Sequence, residues 1–334
     1  MKVIRITGYE AEPHLDDVSK PVPASGQVLV RVRAASLNPL DVKLQRGYME
    51  QFFPLTFPYT LGTDLAGVIE QLGADVEGWA LGDQVVARTD PTAGGAFAEY
   101  ALVPKEFLAK APSTLPFNEA AGIPTTAGTA WQALFESFEL TEGQKVLIHA
   151  GTGGVGSFAI QLAHRVAAKV IATASGSGLD IVRLLGADMC IDYRREDFTR
   201  QLSDIDVVLD TLGGETQQRS FDVLRTGGHL LSTVMPPDDT LAAAHNVTAG
   251  FRIPCFRRPA LGASIESYRP VRTTDPCGSN GTVYRVHSSI PTSGLRTCTG
   301  QNHHHIRLSL TAAASPSFEI PALLTRASRW EHSA

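Results

Sequence analysis

The chain has 334 residues, 43% of them hydrophobic and 19% charged, the make-up of a soluble globular protein of about two domains. A net charge of −5 argues against a nucleic-acid or membrane-surface partner, and no apolar run is long enough to span a bilayer. Four cysteines without metal-type spacing argue against a disulfide framework and favour a reducing compartment, with the cytoplasm as the default.

The charge is unevenly spread. Residues 252–334 hold no Lys, ten Arg and four acidic residues, a net of +6 that leaves −11 on residues 1–251. Cys255, Cys277 and Cys298 also fall in this last quarter.

In chain order, residues 1–6 alternate like a strand and lack the apolar core of a signal peptide. Residues 27–34, 65–72, 84–87 and 96–103 read as further short strands, with turns at Gly73, Gly78 and Gly82-Asp83 between them. Many short strands with glycine turns predict a twisted, barrel-like sheet. A helix is expected to start near Asn118, a good N-cap residue, and another to cover residues 129–138.

From Lys145 the pattern changes to strand–helix alternation. Strands are expected at 146–149, 169–174, 189–192, 206–210 and 228–233, with a helix over 180–185 that ends at Gly186. This rhythm predicts an open parallel sheet with helices on both faces. Ligands bind at the carboxyl ends of such strands, so the loops after Ile148, Thr173, Ile191, Leu209 and Leu231 are expected to line one.

The first of these strands runs into Gly151-Thr152-Gly153-Gly154-Val155-Gly156, and Val155, Ala159, Ile160 and Ala163 then recur at helical spacing. This strand–turn–helix context is the one a dinucleotide fingerprint requires. Glycines there let backbone amides approach a pyrophosphate, and the helix N-terminus adds partial positive charge. The competing reading is an ordinary glycine-rich turn.

Further motifs join this turn: Ala35-Ser36-Leu37-Asn38-Pro39-Leu40-Asp41, Leu61-Gly62-Thr63-Asp64-Leu65-Ala66-Gly67-Val68, Gly82-Asp83-Gln84-Val85, Gly128-Thr129-Ala130-Trp131, Leu185-Gly186-Ala187-Asp188, Ile191-Asp192-Tyr193 and Asp210-Thr211-Leu212-Gly213-Gly214. In this order the chain resembles, over roughly residues 1–251, the zinc-independent quinone oxidoreductases of the medium-chain dehydrogenase/reductase superfamily. The resemblance implies an α/β chain: a GroES-like β-rich catalytic domain, expected over residues 1–122, and a Rossmann doubly wound parallel-sheet domain, expected over 123–251. It also implies hydride transfer from NADPH to a quinone or an α,β-unsaturated carbonyl.

Residue types bear on the cofactor. NAD enzymes place Asp or Glu at the end of the second strand to bond the ribose 2′-OH; here that strand ends in Ala174-Ser175-Gly176-Ser177-Gly178, with no carboxylate to repel a 2′-phosphate. Ser175 can donate to that phosphate, and Tyr193 matches the family's tyrosine beside it. The family's usual lysine after the serine is missing. The nucleotide-binding set is therefore expected to be Gly151, Thr152, Gly153, Gly154, Val155, Gly156, Ser175, Tyr193 and Thr211, with NADPH as the cofactor.

Zinc-dependent relatives place Cys where Asn38 stands and His where Thr63 stands. Neither Asn nor Thr is a normal zinc ligand, residues 1–189 contain no Cys, and Asp41 with Asp64 alone would make a weak site, so no metal is expected. The oxyanion formed on hydride transfer then needs a hydrogen-bond donor or a water-borne proton. By family position Asn38 and Thr129 are the favoured candidates to touch substrate or nicotinamide, ahead of Lys43 and Tyr48. Each has a plain alternative: an Asn-Pro turn before a helix for Asn38, helix-end capping for Thr129, a solvated ammonium for Lys43, core packing for Tyr48. His149 and Cys190 lie on apolar strands and read as core. Competing functions are an enoyl-thioester reductase and a nucleotide-binding protein without turnover. Relatives join Rossmann sheets edge to edge, so a homodimer is a further expectation.

Nothing after Phe251 matches the family. Pro254, Pro259, Pro270, Pro276 and Pro291 would break most elements there. A reading-frame change and a natural divergent extension both account for residues 252–334, which are expected to be poorly ordered. His303-His304-His305 is given no role.

Overall fold

The computed structural model describes residues 1–251 and, beyond them, the backbone of one short antiparallel pair, Arg272–Thr274 with Asn280–Thr282. The expectation of an aberrant, poorly ordered segment over 252–334 otherwise lies outside the described residues.

The first part holds β1 (Lys2–Ile6), β2 (His14–Asp17), β3 (Gln27–Ser36), α1 (Pro39–Gln45), β4 (Tyr59–Thr60), β5 (Asp64–Leu72), β6 (Gln84–Arg88), β7 (Tyr100–Pro104), β8 (Leu108–Lys110) and α2 (Phe117–Ala120). The strands form an antiparallel sheet in the order β7-β3-β5-β6-β8 and a smaller one in the order β2-β1-β4. Val28, Val30 and Val32 of β3 face the first core with Leu65, Ile69, Val85 and Phe97. A register shift between Val32 and Ala34 then turns Ala35 to that side, as a bulge does. Ala34 joins Ala66, Val86 and Ala109 on the other face, where these small residues let Ala120 and Ala121 pack closely.

The second part holds α3 (Ile123–Trp131), β9 (Lys145–Ile148), α4 (Gly154–Arg165), β10 (Lys169–Ala174), α5 (Gly178–Leu184), β11 (Met189–Asp192), β12 (Ile205–Asp210), α6 (Gly214–Ser220), β13 (Leu224–Ser232), α7 (Asp239–His245) and β14 (Thr248–Phe251). Its sheet is parallel throughout, in the order β11-β10-β9-β12-β13-β14. Counted along the chain this is 3-2-1-4-5-6, the dinucleotide-fold order. Central β9 is apolar on both sides, as a parallel strand must be. Val146 and Ile148 pack with α3 and α4, while Leu147 packs with Phe198, Val208 and Phe221.

Three expectations shift. The strand expected over 96–103 begins only at Tyr100. Before it, Phe97 is tied to the smaller sheet, its carbonyl accepting from Ile4 N and its amide donating to Leu61 O, both at 2.9 Å. Asn118 lies inside α2 behind Pro116 rather than at its cap. The helix expected over 129–138 starts at Ile123, where Pro124 fits a first turn, and runs on as a π-turn over Gln132–Ser137. Thr129 is therefore interior to α3. The sequence reading also lacked α7 and β14; the Asp238 carboxylate caps α7 by accepting from Thr240 N at 2.8 Å.

Leu147 is fully buried in the centre of the sheet. Leu147→Ala is expected to lower unfolding free energy by about 2–5 kcal/mol, measured by urea denaturation.

Candidate active site

The glycine turn sits at the carboxyl end of β9. Ala150 takes φ +49°, an uncommon conformation for a residue with a Cβ. It is held there because its amide donates to Thr173 Oγ1 at 3.2 Å and its carbonyl accepts from Gly153 N at 2.8 Å. A Cβ on Gly156 would lie 2.3 Å from the Ala150 carbonyl oxygen, so only glycine lets α4 start this close to the strand. The first helical bond of α4 runs from Ser157 N to Gly153 O at 2.9 Å. The amides of Gly154, Val155 and Gly156 thus have no place in the helix ladder, and no side chain caps them. They form a cradle suited to an anion. On the neighbouring side a Cβ on Gly178 would meet Thr152 Cγ2 at 2.9 Å, so α5 begins against the turn.

The parallel register pairs Ala174 with Asp192, which brings the next residues, Ser175 and Tyr193, together. Ser175 Oγ donates to the Tyr193 hydroxyl at 3.2 Å. Tyr193 is 44% exposed, and the Arg194 guanidinium carbon lies 6.0 Å from its ring centre. Arg194, which is not among the expected nucleotide-binding residues, directly follows the tyrosine of the Ile-Asp-Tyr motif. Thr211 Oγ1 donates to the His149 carbonyl at 3.1 Å, tying the loop after β12 to the end of β9. His149 is buried between Thr173 and Ser220, Nε2 lying 3.0 Å from Ser220 Oγ. Burial pushes its pKa down to about 4, so it is a neutral core imidazole.

A second cluster joins the β-rich sheet to α3. Asn38 caps α1, and its backbone amide donates to Asp41 Oδ2 at 2.7 Å. Its side-chain Nδ2 donates to Asp64 Oδ2 at 3.1 Å. Asp64 also accepts from Thr125 N at 3.0 Å and Thr125 Oγ1 at 2.8 Å, and Thr63 Oγ1 donates to Asp41 Oδ1 at 3.3 Å. All of Asn38, Asp41, Thr63, Asp64 and Arg88 are buried. Burial raises Asp41 to about 7, helped by the Asp64 charge and opposed by Arg88. Burial raises Asp64 to about 6, opposed first by Arg88.

The structure thus brings Asn38 and Thr129 to one seam. Thr129 Oγ1 donates to Thr125 O at 2.5 Å, a bond within its own helix. The turn-before-helix geometry considered for Asn38 is present, with its side chain committed to Asp64. Lys43 is half-buried on α1, and desolvation lowers its pKa. Tyr48 is 67% exposed, so core packing does not explain it. Asp64 and Thr125 were not singled out as site residues. Asp64 was weighed only as a metal ligand, because a sequence does not show which buried polar groups meet.

Two family models match the chain: the alcohol dehydrogenase GroES-like domain over residues 24–113 and the zinc-binding dehydrogenase domain over residues 154–253. Among solved structures, the quinone oxidoreductase from Coxiella burnetii superposes with a TM-score of 0.71 at 31% identity, over 80% of this chain and 89% of that one. The chain belongs to the quinone oxidoreductase family of the medium-chain dehydrogenase/reductase superfamily. It is 39% identical over 203 residues to a chloroplastic quinone-oxidoreductase homolog of Spinacia oleracea, which covers 58% of this chain. It is also 39% identical over 223 residues to a chloroplastic NADPH-dependent alkenal/one oxidoreductase of Arabidopsis thaliana, which covers 63% of this chain. The chain spans 61% and 56% of the lengths of those two relatives. The zinc-binding dehydrogenase match ends two residues past Phe251, where the composition breaks.

In this member of the quinone oxidoreductase family the buried carboxylates set a pH dependence. Their folded pKa values, about 7 and about 6, exceed the ordinary 3.8. Between those values the folded state binds more protons than the unfolded one. The stabilisation is complete below pH 3.8 and is lost as pH rises through 6 and 7. His149, lowered to about 4 from 6.5, acts in the opposite sense, adding stability as pH rises through that range. Asp41→Asn removes one carboxylate titration. The melting temperature of this variant, relative to the parent, is expected to rise between about pH 5.5 and pH 8, by roughly 2–4 °C per kcal/mol of linkage removed. Thermal unfolding at the two pH values checks this, and a pH-independent difference would contradict it.

Proposed function

We propose that this protein is an NADPH-dependent reductase that passes hydride to a quinone or to an α,β-unsaturated carbonyl without a metal ion. The observation that carries the reading is the pairing of the amide cradle at Gly154, Val155 and Gly156 with the Ser175–Tyr193–Arg194 corner at the ends of β10 and β11. The cradle suits a pyrophosphate. The corner offers a hydroxyl pair and a guanidinium with no carboxylate at the end of β10, which suits a 2′-phosphate over a free 2′-OH. Arg194 supplies the charge that the missing family lysine would have given. The quinone and alkenal specificities of the relatives named above are consistent with this reading.

When bound, the dihydronicotinamide supplies the hydride; the protein orients it and keeps water out. Negative charge then develops on the substrate oxygen. Lys43, whose proton is loosened by desolvation, and Tyr48 on the exposed side of the same segment are the donors available to it. Asn38 serves the cleft by position, since its Nδ2 is engaged by Asp64. Metal-free chemistry is favoured by the donor set: Asn and Thr are poor zinc ligands, and the oxygens of Asp41 and Asp64 accept five hydrogen bonds within the cluster.

Fluorescence titration with NADPH, followed by NADPH oxidation against a panel of quinones and alkenals with NADH as control, tests the proposal. Saturable binding and turnover are expected; absence of any binding response by folded protein would refute it. Gly156→Ala, whose methyl would strike the Ala150 carbonyl, is expected to weaken NADPH binding by about tenfold or more. Arg194→Ala is expected to weaken NADPH binding by about tenfold, the size of one charge-assisted contact, and to leave NADH binding unchanged. Equal losses for both nucleotides would remove Arg194 from the phosphate corner.

A further inference from the structure

The seam between the β-rich sheet and α3 has a feature that the proposed chemistry does not use. Helix α3 begins on Gly122, and no side chain of its own caps its first turn. The third helical residue, Thr125, nevertheless has its amide and its hydroxyl satisfied, both by Asp64. Asp64 comes from β5, 61 residues earlier. A carboxylate at a helix N-terminus is stabilised by the unladdered amides, so the β-rich sheet caps a helix that packs on the other side against the nucleotide fold. Ile123, Ala127 and Ala130 of α3 share a core with Phe158, Ala159 and Leu162 of α4, the helix whose N-terminus forms the amide cradle.

The same carboxylate holds Asn38, and the Thr125 carbonyl accepts the Thr129 hydroxyl. Asn38 and Thr129, 91 positions apart in the chain, are therefore joined by an unbroken path: Asn38 Nδ2 to Asp64, Thr125 to Asp64, Thr129 to Thr125. We propose that Asp64, acting through Thr125, is the positioning residue that fixes the substrate side of the cleft against the nucleotide side. It touches neither reactant. Its two oxygens set how the Asn38 segment and α3 sit relative to each other. This inference rests on the proposed reductase activity for its kinetic readout, because small displacements of reacting groups produce large losses of rate.

Thr125→Val keeps the shape and the backbone amide but removes the hydroxyl that reaches Asp64. Its kcat for NADPH-dependent reduction of a quinone or an alkenal is expected to fall at least tenfold, with the Kd for NADPH unchanged within twofold. Thr125→Ser is expected to restore most of the rate. Amide hydrogen exchange supplies a second readout that needs no substrate. In Thr125→Val, exchange is expected to quicken by threefold or more in residues 38–45 as well as in 123–131, with 145–165 unchanged. Asp64→Asn is expected to give the same pattern more strongly, and Thr125→Val decides the matter if Asp64→Asn does not fold. A lowered melting temperature with kcat and exchange at 38–45 both unchanged would overturn the inference. If the unmodified protein binds NADPH yet reduces no quinone or alkenal, the reductase reading fails, and the exchange at 38–45 alone decides whether Asp64 couples the two sides.

Discussion

The arrangement depends on two carboxylates, Asp41 and Asp64, and one guanidinium, Arg88, being held out of water where the β-rich sheet meets α3. Burying an ion costs several kcal/mol even after the protein relaxes. The cost is offset here by hydrogen bonds from Asn38, Thr63 and Thr125 and by the Arg88 charge, which opposes the desolvation of both acids. Arg88 pairs with Asp64 in the β5–β6 register, so the charge is placed by the sheet. Loss of water around each acid disfavours its charged form, and the raised pKa of each acid expresses that cost, with Arg88 opposing it in both.

This cluster gives the seam a direction. A hydrophobic contact between two layers would allow sliding, because dispersion and desolvation are non-directional. A carboxylate that accepts from one side chain on the left and from an amide and a hydroxyl on the right allows one relative placement. The apolar packing of α3 on α4 then carries that placement to the glycine turn. On the proposed function, affinity for a nucleotide and geometry for a reaction would rest on different interactions: affinity on backbone amides and polar groups at the strand ends, geometry on a buried polar chain.

The glycine turn illustrates how local strain is tolerated. Ala150 adopts a conformation disfavoured for any residue with a Cβ, yet its amide and carbonyl are each fixed by a neighbour, Thr173 and Gly153. Thr173 also borders the buried His149, which in turn meets Ser220 on α6. Beneath the cradle lies a polar core in which both ring nitrogens of the neutral His149 have a hydroxyl partner, linking β9, β10 and α6 at the strand end.

The parallel sheet, its central apolar strands and the glycine turn were legible in the sequence, because strand burial and helix periodicity are written in residue order. The ends of β10 and β11 could likewise be read, since a missing carboxylate is visible without coordinates. Less legible were the start of α3, which Gly122 and Pro124 move upstream of Thr129, and the fate of residues 96–99, drawn to the smaller sheet by pairing with Leu61 and Ile4. Those outcomes are settled by partners distant in the chain. The same is true of Asp64: composition and spacing show a carboxylate after a threonine, and nothing local says that it reaches Asn38 on one side and Thr125 on the other. Short-range periodicity and residue chemistry decided the layers and the glycine turn. The meeting of buried polar groups across the seam was decided only when the chain closed on itself, because a hydrogen bond depends on position and angle in space, which sequence separation does not encode.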